Sequence, residues 1–130
     1  MIEQDTIKLL RECDAGVKMG ISSIDDVLKY VKDEKLDREL QQLLDKYKDE
    51  GKDPNPMAKG MSWIKTNVKL AFNESDKTVA DLMTDGCNMG VKSLNEYLNK
   101  YEAADEVSKD ICKKLINLEE ELTVQIREFL

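Results

Sequence analysis

The chain has 130 residues, 41% hydrophobic and 36% charged, and its 20 basic and 27 acidic residues leave a net charge of −7 with no histidine. That length encloses one hydrophobic core, and that apolar fraction excludes a disordered chain. The acidic balance argues against nucleic acid as a partner, apolar runs of a few residues fall short of the ~20 a membrane span needs, and the lack of imidazole excludes Ser/His and Cys/His hydrolases and most zinc sites.

In the first segment Ile7, Leu10, Asp14, Val17, Ile21, Ile24, Leu28 and Val31 recur at steps of three and four, the seam of a bundle helix with one polar member. A second seam runs Leu36, Leu40, Leu43 and Tyr47. The step of five between Val31 and Leu36 breaks the phase. A turn therefore belongs at 32–35, with Asp33 as the N-cap of the second helix, and residues 4–50 form an antiparallel hairpin.

Residues 51–74 differ in character. Gly51-Lys52-Asp53-Pro54-Asn55-Pro56 is the one cluster of helix breakers, and Asn55-Pro56 reads as a helix start. Met57, Met61, Ile64, Val68 and Phe72 then describe a short amphipathic helix with Lys59, Lys65 and Lys69 and no acid. Its apolar stripe reads as a roof on the bundle. Alternatively Met57, Met61 and Trp63, flanked by those lysines, form a contact surface for a protein partner or a second copy.

The last segment, 75–130, repeats the first, with Ser75 or Asp76 capping its leading helix. At an offset of seventy, Gly16, Met19, Gly20, Ile21, Ser23 and Ile24 correspond to Gly86, Met89, Gly90, Val91, Ser93 and Leu94. One extra turn residue then aligns Leu36, Leu40 and Leu44 with Val107, Ile111 and Leu115, and Leu118, Leu122, Ile126 and Phe129 continue a helix to the end. The fold expected is all-α: a four-helix bundle of two duplicated antiparallel hairpins in a single domain (1–130), joined by a long crossover carrying a short fifth helix.

This arrangement, with its shared Gly-x-x-Met-Gly pattern, resembles the ferritin-like four-helix-bundle family. The resemblance implies two hairpins about a pseudo-twofold axis. In the di-iron members it also implies a Glu on two helices and Glu-x-x-His on the others. Here Glu39 is followed three residues on by Gln42 and Glu119 by Leu122, with no histidine, so the ligand set is missing and no cofactor is expected. A carboxylate-only metal site would draw on Glu12, Asp14, Asp85 and Glu119. Asp14 on a buried seam calls for a partner, Arg11 or a group on a facing helix, unless it sits at a wet end of the bundle or serves as a ligand.

Gly16 and Gly20, and Gly86 and Gly90, each lie one turn apart within a helix, where glycine costs roughly 1 kcal/mol relative to alanine. Beside the seams they form stripes of small residues, Cys13-Gly16-Gly20-Ser23 and Met83-Gly86-Gly90-Ser93, expected where the first and third helices cross closely, or where a groove receives a partner or ligand. Met1-Ile2-Glu3-Gln4-Asp5 is no signal peptide, and Cys13, Cys87 and Cys112 lack any Cys-x-x-Cys. A cytoplasmic domain with buried thiols follows. Three functions fit: a non-catalytic bundle acting through a protein partner or as a homo-oligomer, a carboxylate metal binder, and a small-molecule binder with a pocket between the hairpins.

Overall fold

The computed structural model describes residues 3–50 and 75–130. They form four α-helices: α1 (Gln4–Leu28), α2 (Glu34–Glu50), α3 (Ser75–Lys100) and α4 (Glu106–Ile126), the last followed by a 3-10 turn at Arg127–Phe129. No described helix is long and apolar enough to cross a membrane. The all-α four-helix bundle expected from the periodicity is the observed architecture. The proposed fifth helix, and with it Met57, Lys59, Met61, Trp63, Lys65 and Lys69, lies outside the described residues.

Helix α1 pairs with α2, and α3 with α4, as two antiparallel hairpins. Between hairpins α1 packs beside α3 and also reaches α4, and α2 packs beside α4. Two clamps fix the relative direction. At one end the Asp76 carboxylate, in the first turn of α3, accepts from the Lys32 and Asp33 amides of the α1–α2 turn at 2.7 and 3.1 Å. At the other end, in the first turn of α1, Asp5 accepts from the Ala103 amide at 3.0 Å and the Thr6 hydroxyl from the Asp105 amide at 2.8 Å. Helices α1 and α3 are therefore antiparallel. An ion pair between Lys35, at the start of α2, and Glu128, just past α4, sets those two helices antiparallel as well.

Each second helix carries the cap its turn needs. Asp33 Oδ1 accepts from the Lys35 and Leu36 amides at 2.8 and 3.2 Å, the N-cap expected from the phase break. Asp105 accepts from the Ser108 amide at 2.8 Å, and the Ser108 hydroxyl, then that amide, hold its carboxyl below the usual range. Asp76, which was one of two expected caps of α3, instead serves the neighbouring turn.

The core differs from the expected seams in two respects. In α1 the buried stripe is Leu9, Cys13, Val17, Gly20, Ile24 and Val27, rotated toward the small residues. Leu10 and Asp14 face out, and Asp14 pairs with Lys18 at 3.0 Å rather than with Arg11 or a facing helix. Small residues admit a closer neighbour than Leu10 and Asp14 would, so the stripe thought to run beside the core is part of it. In α4 the buried residues include Ser108, Cys112, Leu115, Ile116 and Glu119, with Leu118, Leu122 and Ile126 buried as well, while Val107 is 69% exposed. These first five fall on Leu36, Leu40, Leu43, Leu44 and Tyr47 of α2 at an offset of 72, so the turn holds two extra residues rather than one and the expected pairing of Leu36 with Val107 is corrected. The same offset relates Asp33 to Asp105, and seventy relates Thr6 to Asp76.

Candidate functional site

The offset of 72 places Tyr47 and Glu119 at equivalent points of α2 and α4. Each is buried, at 1% and 4% exposure, and each fills a space left by a glycine on the adjoining first helix. A methyl group at Gly20 would come within 2.6 Å of the Tyr47 ring, and one at Gly90 would collide with the Glu119 carboxyl. The volume those glycines free is thus taken by side chains from α2 and α4, not by the facing first or third helix. At Gly16 the same methyl would meet nothing within 4 Å.

That open space belongs to a crevice of about 200 Å³ between α1 and α3. Gly16 and Met19 line it from α1, and Met89 and Tyr97 from α3, with Tyr47 and Glu119 contributed by α2 and α4. Met89 is 63% exposed, Tyr97 is half-buried, and the ring of Tyr97 stacks on that of Tyr101 at 6.3 Å between centroids. Glu12 of α1 also lines the crevice and faces the Tyr97 hydroxyl, whose proton is held above its ordinary range by desolvation and then by Glu12. The surroundings are thus apolar and sulfur-rich, with polar groups confined to a few points.

Electrostatically the interior is unusual. Burial pushes the Glu119 carboxyl up to about 8, and the nearby Tyr47 hydroxyl offsets this only in part. Tyr47 is raised well above its ordinary range, first by burial and then by Glu119, and its buried hydroxyl makes no well-formed hydrogen bond. Cys13 and Cys87 are raised as well: Cys13 by contact with Cys112 and then by burial, Cys87 by burial and then by Glu119. A carboxyl largely protonated at neutral pH and the phenol that neighbours it therefore sit at one wall of an apolar crevice. Both can engage the polar end of a small molecule.

The expected site residues are only partly brought together. Among the metal candidates, Glu119 and Glu12 share the crevice, whereas Asp14 and Asp85 lie exposed. Among the described residues no three Cys, Asp or Glu side chains converge as a metal ion requires. Of the four glycines, Gly16 and Gly90 line the crevice, Gly20 seats Tyr47 and Gly86 is buried. The pairing of Tyr47 with Glu119 is not legible from the apolar seam, on which Tyr47 passes as one more core residue. The signal that finds it is a glycine on each first helix opposite a large side chain on the second.

No protein-family model, curated protein or solved structure matches the chain.

Proposed function

We propose that this protein is a non-catalytic small-molecule-binding bundle, taking a mainly apolar ligand into the crevice between α1 and α3. The observation that carries this reading is the crevice itself. A bundle serving only as a scaffold gains stability from every filled gap. Here about 200 Å³ is left open beside Gly16, next to a nearly fully buried carboxyl whose neighbour is the Tyr47 hydroxyl, a contact that falls short of a well-formed hydrogen bond. Buried polar groups so sparsely partnered carry a cost that the polar end of a ligand can lower. The exposed large apolar residues described, Leu10, Met89, Val107, Val124 and Leu130, fall on three helices and the C-terminal residue, as singly exposed residues do on ordinary surfaces.

The matched clamps and the offsets of 70 and 72 support the duplication reading, and the helix pairing supports a ferritin-like scaffold. Three free, buried thiols favour a reducing compartment such as the cytoplasm.

Methionine-methyl NMR tests the binding reading. The Met19 and Met89 methyl signals should shift on titration with phenethyl alcohol, and Gly16→Leu, which fills the crevice without meeting a neighbour at its first carbon, should abolish the shifts while the fold is kept. Unmoved Met19 and Met89 signals would refute the site.

A further inference from the structure

The crevice holds two carboxyl groups and no basic side chain. Groups that couple to Glu119 or line its crevice come from every helix: Glu12 and Cys13 from α1, Tyr47 from α2, Cys87 and Tyr97 from α3, and Cys112 from α4 itself. None is cationic. Glu119 is therefore a buried acid whose natural counter-ion is not supplied by the surrounding helices. A negatively charged ligand would face both Glu119 and Glu12, and a neutral one would leave Glu119 in its protonated form and make no use of the charge it can develop. A cation gains from both acids and from the rings of Tyr47 and Tyr97. In size, about 200 Å³ exceeds the ~150 Å³ cavity that admits one benzene ring.

Resting on the binding reading above, we propose that the ligand is a small primary amine on an apolar body of about one ring, bound as the ammonium ion with Glu119 as its counter-ion and the body between Met19 and Met89. The proton balance is explicit. The carboxylic acid gives up its proton to solvent as the ammonium arrives, so that Glu119–COOH plus R–NH3⁺ becomes Glu119–COO⁻ paired with R–NH3⁺ and one free H⁺. Below about pH 8, where Glu119 is mostly protonated, affinity for the amine should thus rise by about tenfold per pH unit.

The test compares phenethylamine, phenethyl alcohol and phenylacetate by calorimetry from pH 6 to 8 in two buffers of different ionisation enthalpy. The expected result is tightest binding by the amine, a rise of tens of fold across that range, and release of close to one proton at pH 6, falling to about half a proton at pH 8. Glu119→Gln should flatten the amine's pH profile and lower its affinity at least tenfold at pH 8 while still binding the alcohol, which shows the crevice intact. Equal, pH-independent binding of amine and alcohol, or tightest binding by phenylacetate, would overturn the amine assignment and leave the crevice reading standing. Binding by none of the three, with unmoved Met19 and Met89 signals, would remove both.

Discussion

Glu119 makes the stability of this bundle depend on pH in the direction opposite to that of most carboxylates. Its carboxyl titrates at about 8 in the folded chain against 4.5 when unhindered, so between those values the native state holds a proton that the unfolded state has lost. Stability from this group is complete below about pH 4.5 and declines as pH rises through 8. The full difference corresponds to about 5 kcal/mol, an upper limit because water reaching the crevice lessens the penalty of the anion. Asp105 is held low, and Cys13, Cys87, Lys35, Tyr47 and Tyr97 are all raised, while the Cys112 thiol is lowered by its contact with Cys13 and is common to both proteins compared below. Glu119→Gln keeps the shape and removes the proton. Urea unfolding of both proteins at pH 5, 7 and 9 isolates the effect: the Gln variant should gain on the wild type by several kcal/mol between the first and last conditions, and with about 4 °C of melting temperature per kcal/mol the curves should cross or converge visibly. Parallel pH profiles for the two proteins would show that Glu119 is hydrated or paired and would refute the reasoning.

The two glycines on α1 should respond in opposite ways. Gly16→Ala meets open space and removes a flexible residue from mid-helix, so it should stabilise by up to about 1 kcal/mol, whereas Gly20→Ala pushes on the buried Tyr47 ring and should destabilise by about 1–3 kcal/mol, both read by chemical denaturation. Asp76→Ala leaves the Lys32 and Asp33 amides without their acceptor and should cost about 1–2 kcal/mol, with hydrogen exchange accelerated in the α1–α2 turn and unchanged in the α3–α4 turn. Thr84→Val replaces a buried hydroxyl that lacks a hydrogen bond and should be neutral or slightly stabilising in the same assay. Cys87, buried and raised in its proton affinity, should react with a thiol reagent only at the rate of unfolding, and fast labelling in native buffer would contradict its placement.

Periodicity alone carried the bundle, its turns and the Asp33 cap, because seams of Leu and Ile at three- and four-residue steps leave few ways to bury themselves. It misplaced the inner face of α1, since Leu10 outranks Cys13 in hydrophobicity while packing against a near neighbour rewards small size. It also set the turn of the second hairpin one residue short, because Val107 looks more like Leu36 than Ser108 does, and only the buried face shows that Ser108 is the counterpart. Glu119 was visible as a carboxylate but not as an interior one. Its own helix gives no sign of this; the sign is Gly90, one helix away, which makes room for it.

The crossed clamps have a consequence for how the halves come to exist. The bend of each hairpin is tied down by the leading turn of the other, Asp76 holding the first and Asp5 with Thr6 the second. Neither half owns all the acceptors its own bend requires. A separated half would therefore present bare amides at its elbow, and ordering of one elbow waits on the arrival of the opposite partner. The two halves should consequently melt as one unit, and co-expressed fragments should recover structure only in each other's company.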